Sequence, residues 1–165
     1  MNILDENVLE PQRLLLLRWG IPFRQIGFEV GRKGMKDAEI IPFLLGHNHP
    51  TFFTRDLDFC KRDLCHARYG LVILAVIEED TALFMRRLLR YLEFNTQAKR
   101  MGTVIRVKHE GLSVWRLHAT QETHYSWIGT DGRALLSALR EDKAPYGTGL
   151  PADEAAETES PETSF

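Results

Sequence analysis

The stretch that most constrains the fold is the apolar run at residues 71–77, LVILAVI. It is short, rich in β-branched side chains and free of polar residues, so it predicts a central strand that is covered on both faces. A parallel strand needs a crossover connection, and the preceding residues supply one, because short β-rich runs alternate there with longer helical patterns. The sequence therefore predicts an α/β fold with a mostly parallel central sheet.

The flanking segments complete this prediction. Residues 103–107 and 113–117 alternate apolar and polar side chains around the pair Glu110-Gly111, which is typical of a hairpin, so we expect an antiparallel end to the sheet. The other predicted strands are residues 1–4, 22–26 and 51–54. The predicted helices run from Leu9 to Trp19, from Asp37, which suits an N-cap, to Gly46, and over residues 78–100.

Composition excludes several classes of protein. The chain has 44% hydrophobic and 27% charged residues, the balance of a globular protein, and its two cysteines, Cys60 and Cys65, are too few for a disulfide scaffold. The apolar runs fall short of the ~18 residues that a membrane span needs, and the N-terminus carries acids where a signal peptide carries bases. We therefore expect a cytoplasmic protein without a membrane segment.

Charge divides the chain after Arg140. Residues 1–140 carry 20 Lys and Arg against 16 Asp and Glu, whereas residues 141–165 carry one Lys against seven acids. The terminal piece also has three prolines and almost nothing to bury, which predicts a disordered acidic tail. Residues 119–140 are expected to form a C-terminal extension with a short helix.

Acidic side chains cluster at three positions of this layout. Asp5 and Glu6, with Asn7, follow the first strand, and the other two clusters are Asp37 with Glu39 at the start of the second helix and Asp56 with Asp58 after the third strand. The carboxyl ends of parallel strands meet at one edge of a sheet, so these carboxylates are expected to lie close together. Crowded carboxylates repel one another unless a divalent cation relieves the repulsion, and oxygen ligands select Mg²⁺ or Mn²⁺.

Structural roles compete with this hypothesis at some of these acids. Taken alone, Asp37 is better explained as a helix N-cap, Glu39 as a partner of the helix dipole, and Glu6 as a solvated loop charge. Two acids one residue apart directly after an apolar strand, as Asp56 and Asp58 are, favour function over a plain turn.

Three short motifs occur in order along the chain: Asp5-Glu6-Asn7, Asp37-Ala38-Glu39-Ile40 and Thr54-Arg55-Asp56-Leu57-Asp58-Phe59. With the apolar strand, long helix and hairpin that follow, they resemble the PIN-like nuclease family. The resemblance is closest to small bacterial PIN-like proteins that are often found in toxin–antitoxin pairs. It covers residues 1–118, which we therefore expect to form the nuclease domain.

The resemblance implies a three-layer α/β/α fold and hydrolysis of RNA phosphodiesters by water activated at Mg²⁺ or Mn²⁺. It implies that Asp5 and Asp56 are core metal ligands, that Asp58 binds metal directly or through water, and that Glu39 or Asp37 is the fourth acid. Asp5, Glu39, Asp56 and Asp58 would then be the catalytic acids. The supporting polar groups would be Glu6, Asn7, Thr54 and Arg55. An antitoxin protein and a second copy of the chain are the partners that such proteins commonly have.

Basic residues near such a site are expected to bind RNA phosphates, and the candidates are Arg32, Lys33, Lys36, Lys61 and Arg62. Arg86, Arg87 and Arg90 form a stripe on the predicted helix at residues 78–100, which is typical of a solvated face. Two other functions fit part of the pattern. One is an inactive PIN-like module that binds a protein, and the other is a receiver-like signalling module that binds Mg²⁺.

Overall fold

Seven strands form one sheet in the computed structural model of the protein, which describes residues 1–127. The spatial order is β2-β1-β3-β4-β5-β6-β7; β1 to β5 are parallel, and β6 and β7 run antiparallel to their neighbours. The predicted α/β class with an antiparallel end is therefore confirmed. The strands are β1 (Asn2–Leu4), β2 (Arg24–Gln25), β3 (Thr51–Thr54), β4 (Gly70–Leu74), β5 (Thr103–Val107), β6 (Gly111–Arg116) and β7 (Thr123–Ser126).

The strand order reverses at β1. From β1 the chain crosses to one side to form β2 and then returns past β1 to form β3 on the other side. In open α/β sheets such a reversal leaves a crevice beyond the strand ends, and ligands bind there. The hydrogen bond from Asp5 N to Phe53 O, at 2.9 Å, extends the β1–β3 pairing into the acidic loop and fixes that loop against β3.

Helices cover both faces of the sheet. α1 (Glu10–Arg18) and α3 (Thr81–Arg90) pack into one hydrophobic cluster, and α2 (Asp37–Leu45) packs into a second cluster. The adjacent residues Phe52 and Phe53 of β3 are fully buried and belong to different clusters, as side-chain alternation along a strand requires. Every residue of β3 and β4 is buried because both of their faces are covered.

The single long helix predicted over residues 78–100 is wrong. The segment begins with a 3₁₀ turn at Glu78–Asp80 and continues as α3, and after a break it ends in the short helix α4 (Gln97–Arg100). Tyr91 leaves the helical conformation, with ψ at 125°, and its ring packs 5.6 Å from that of Trp127. Aromatic packing therefore overrides the local helical pattern at this position.

The stripe of arginines on α3 is not the solvated face that the pattern predicts. Arg86 and Arg87 are buried, and only Arg90 is exposed. The Arg86 guanidinium lies 4.6 Å from the ring of Trp19, and that of Arg87 lies 4.3 Å from the ring of Trp127. Stacking of the planar guanidinium on aromatic rings explains how these charges tolerate burial.

Smaller differences concern the ends of elements. The N-cap of α2 is Lys36 rather than Asp37, which is the first helical residue, and β4 ends at Leu74, before the apolar run itself ends. β7 extends the sheet within the segment that the sequence assigned to a C-terminal extension, while the expected helix and the acidic tail lie outside the described residues. Within residues 1–127, none of the helices is long and apolar enough to span a bilayer.

Candidate metal centre at the carboxyl edge

Three carboxylates converge at the carboxyl edge of the sheet. Asp37 is the first residue of α2, and Asp56 and Asp58 lie in the loop after β3. Each offers one oxygen, and these three oxygens lie within 4.8 Å of one another. Asp37 and Asp58 are exposed and Asp56 is half-buried, so the group is open to solvent.

The loop after β3 is shaped by its own acids. Asp56 Oδ1 accepts a hydrogen bond from Asp58 N at 2.8 Å and so caps a 3₁₀ turn, Leu57–Phe59. Phe59 is buried in the second hydrophobic cluster, which ties the turn to the sheet. Asp56 is therefore both a cap and a member of the carboxylate group, and one role does not exclude the other because its second oxygen remains for a ligand.

Thr54 links the carboxylate of Asp5 to this loop. Its hydroxyl donates to Asp5 Oδ2 at 2.6 Å and accepts from Asp56 N at 3.0 Å, so one buried side chain positions both acids. Burial raises the pKa of Asp5, the Thr54 hydrogen bond opposes this shift, and the charges of Glu6 and Asp56 add to it. Asp5 lies beside the group of three without belonging to it.

Glu39 takes part in other interactions. Its carboxylate accepts from Lys36 N at 2.8 Å and forms an ion pair with Arg32 at 2.5 Å. These contacts, the backbone hydrogen bond first, lower the pKa of Glu39. The structure thus places Asp37, rather than Glu39, with Asp56 and Asp58, and it gives Glu39 the position of a helix-capping acid.

The residues predicted to support the site have different surroundings. Glu6 Oε2 accepts from Gly34 N at 2.7 Å, and Gly34, at φ 73°, has the left-handed conformation that glycine adopts without strain. Arg55 turns away to pair with Glu78 at 3.3 Å, while Asn7 is exposed. The acidic loop after β1 is therefore tied to the glycine-containing loop before α2.

Gln25 is a positioning residue that the sequence analysis missed. It is fully buried in β2, and its Nε2 donates to the carbonyl oxygens of Asp5 at 3.0 Å and Val8 at 2.9 Å, which holds the loop that carries Asp5. The sequence does show a glutamine inside a predicted strand, but the pattern does not indicate which loop its side chain contacts.

The carboxylate group has a net negative charge that residues 1–127 leave uncompensated. Among the described residues, Arg32 pairs with Glu39 and Arg55 pairs with Glu78, and no ion pair reaches Asp37, Asp56 or Asp58. Oxygen ligands of this number and charge fit a hard divalent cation. These three acids could therefore hold a metal ion.

The basic residues predicted to bind RNA have different surroundings. Lys33, Lys36 and Lys61 are exposed, and Arg32 is exposed but engaged with Glu39. The Arg62 guanidinium lies 5.5 Å from the ring of Trp115. Comparisons with protein-family models, curated proteins and solved structures found no match to this chain.

Proposed function

We propose that the protein is a metal-dependent endoribonuclease of the PIN-like kind, with a three-layer α/β/α PIN-like domain. The observation that carries the proposal is the convergence of Asp37, Asp56 and Asp58 from two separate elements, within 4.8 Å and without a described cationic partner. The three motifs that resemble the PIN-like family lie in the loops and helix start around this group. The number, order and placement of these motifs support the proposal that the domain is PIN-like.

Asp37, Asp56 and Asp58 would hold Mg²⁺ or Mn²⁺, with Asp5 as a further acid on the buried side. The bound cation would supply an activated water and neutralise charge on the phosphate. Thr54 holds Asp5 and Asp56 in position relative to each other through its two hydrogen bonds.

Lys33, Lys36 and Lys61 are the exposed cations that flank the site along the chain, and they would contact RNA phosphates. Cleavage of cellular RNA would make the protein a candidate toxin with an antitoxin partner. Two alternatives remain as competing proposals: an inactive PIN-like module that binds a protein, and a receiver-like module that binds Mg²⁺. The strand order of β1 to β5 occurs in receiver-type folds too, so the topology does not separate these functions.

The test is cleavage of a mixed single-stranded RNA pool by the full-length protein with Mn²⁺ or Mg²⁺ and with a chelator. Asp56→Asn keeps an oxygen that can cap the 3₁₀ turn while removing the charge, so it should fold and lose at least ~100-fold in cleavage rate. Asp63→Asn is the matched control because Asp63 is an exposed acid in the next 3₁₀ turn, outside the carboxylate group.

Cleavage that requires metal, is lost in Asp56→Asn and persists in Asp63→Asn would establish the nuclease. Metal binding without cleavage would favour the inactive module. Stable incorporation of phosphate from acetyl phosphate at Asp56 would favour the receiver-like module instead.

A further inference from the structure

A cavity of about 420 Å³ lies at the amino edge of the sheet, where the parallel strands begin. Its described lining comes from the starts of β1 and β2 and from α4, which contributes Gln97 and Arg100. The volume is within the range of cavities that hold small organic molecules. We call it the amino-edge cavity; it shares no described residue with the carboxylate group at the other end of the strands.

The described lining of the amino-edge cavity carries positive charge only. Its charged side chains are Arg24 and Arg100, and none of its described residues is acidic. Burial lowers the pKa of the Met1 amino group and the charge of Arg100 lowers it further, so these two cations lie close together. Arg24 is exposed and pairs with Ile3, whose side chain packs into the second cluster, so its side chain starts on that face and adds charge at the rim.

No carboxylate within residues 1–127 offsets the charge of Arg100. Burial lowers its pKa to about 10, and no acid opposes this shift. The acid nearest to it along the chain is Glu93, which is exposed. Burial and then the charge of Glu93 raise the pKa of Tyr91, so this acid acts on another group. Arg100 is therefore a buried cation that stays charged at neutral pH without a described counter-ion.

The guanidinium of Arg100 is fixed on one side and open on the other. Its Nε donates to the hydroxyl of Thr51 at 3.1 Å, and its Nη1 donates to the carbonyl oxygen of Phe94 at 2.5 Å. Its Nη2 has no acceptor within residues 1–127 and is not sealed from solvent. The N–H groups of Nη2 thus remain for a ligand, and the planar guanidinium matches the oxygen atoms of a phosphate or carboxylate group.

We propose that the amino-edge cavity binds a small molecule with a phosphate or carboxylate group, to which Arg100 Nη2 donates. Thr51 and Phe94 already hold the guanidinium, so binding costs little side-chain entropy. The anion supplies the missing counter-ion at a buried position, where the attraction between opposite charges is stronger than in water. The cavity is larger than one such group, and Pro22 and Phe23 give the rest of the molecule an apolar wall.

The test is an NMR titration of the isotope-labelled full-length protein with inorganic phosphate and, separately, with acetate, each against sodium chloride at equal ionic strength. A chelator keeps metal ions from binding the anion at the carboxylate group. The Arg100 Nε–H signal and the side-chain amide signal of Asn2, which also lines the cavity, should shift saturably with at least one anion. Shifts with phosphate would identify a phosphate ligand, and shifts with acetate alone a carboxylate ligand. No saturable shift with either anion, or equal shifts with chloride, would overturn the proposal.

A charge-introducing variant tests the same site without removing the buried arginine. Gln97→Glu keeps the size of a lining side chain and adds a negative charge, so it should weaken binding of the anion about tenfold. The matched control is Gln121→Glu, which adds the same charge at an exposed position in the loop between β6 and β7, outside the described lining. Its affinity should equal that of the wild-type protein. Circular dichroism confirms that both variants are folded, and equal weakening in both would overturn the proposal.

Discussion

At each end of β3, the hydroxyl of a threonine forms a hydrogen bond with a buried charged side chain, and the two charges have opposite signs. At its start, Arg100 Nε donates to the hydroxyl of Thr51 at 3.1 Å, and at its end the hydroxyl of Thr54 donates to Asp5 Oδ2 at 2.6 Å. Arg100 is 5% exposed and Asp5 is 9% exposed, and within residues 1–127 neither forms an ion pair. A threonine therefore replaces the counter-ion at each end of one strand.

The surroundings of the two charges differ. Arg100 also donates to the carbonyl of Phe94 at 2.5 Å, and burial lowers its pKa only to about 10, so it stays charged at neutral pH. Burial raises the pKa of Asp5, hydrogen bonds from Thr54 and the Glu6 backbone oppose this rise, and the like charges of Glu6 and Asp56 add to it. The amino edge holds its guanidinium with neutral acceptors and one like charge, that of the Met1 ammonium, whereas the carboxyl edge gathers several carboxylates whose charge a ligand would relieve.

The largest effect on stability is expected from Thr51→Val. It keeps the shape of the side chain but removes the acceptor of a buried guanidinium, so the free energy of unfolding should fall by about 2–3 kcal/mol. Because Arg100 stays charged well above pH 7, the loss should be the same from pH 4 to pH 8. Urea denaturation across that range measures it, and a loss that changes strongly with pH would contradict this role for Arg100.

A smaller effect, dependent on pH, is expected from the matching variant Thr54→Val. It removes the donor to Asp5 and the acceptor of Asp56 N, so the free energy of unfolding at pH 7 should fall by about 1–2 kcal/mol. In acid Asp5 is neutral and needs the donor less, so the loss should shrink. Thr51→Val and Thr54→Val should be measured side by side. If their losses of stability depend on pH in the same way, the two ends of β3 do not differ as described.

Asp5→Asn should be nearly neutral for stability at pH 7, within about 0.5 kcal/mol, or slightly stabilising. The pKa of Asp5 is raised in the folded state above its usual 3.8, so the protonated carboxyl favours folding. That contribution is fully present below pH 3.8 and is lost as the pH rises through the raised pKa. The stability of the wild-type protein relative to the variant should therefore decrease from acid to neutral pH.

The measurement is urea denaturation of both proteins in a chelator between pH 3 and pH 8. Glu6 and Asp56, which also face Asp5, are present in both and largely cancel in the difference. A difference that grows with pH would mean that Asp5 is stabilised as a charged group, as a structural acid would be.

The smallest effect is expected from Arg32→Gln. The ion pair of Arg32 with Glu39 joins two largely exposed side chains, so water and salt screen it and the free energy of unfolding should hardly change. The affinity for Mn²⁺ should not change, because Glu39 lies outside the carboxylate group. A clear loss of Mn²⁺ affinity in this variant, measured by calorimetry, would instead place Glu39 among the ligands.

Local pattern was enough to predict most of the sheet. The bounds of β3 and β5 match the predicted strands at every residue, because alternation and apolar runs are local properties of the chain. The loop that carries Asp56 and Asp58 follows β3, as predicted from the same local pattern. The break at Tyr91 and the burial of Arg86 and Arg87 could not be predicted, since they depend on aromatic partners that are distant in sequence.

The sequence also could not predict which side chains of the site contact one another. Asp37 and Glu39 stand two residues apart at one helix start, and only the position of Arg32 and of the Lys36 amide decides that Glu39 turns away. The role of Gln25 depends on which carbonyl groups the parallel pairing of β1 and β2 brings next to it.

Titration calorimetry of the full-length protein with Mn²⁺ tests most directly whether the carboxylates at the carboxyl edge form a divalent cation site. The account predicts saturable binding to the wild-type protein, at least about tenfold weaker binding to Asp56→Asn and Asp37→Asn, and unchanged binding to Asp63→Asn. Equal binding to all four proteins, or no saturable binding to the wild-type protein, would contradict it.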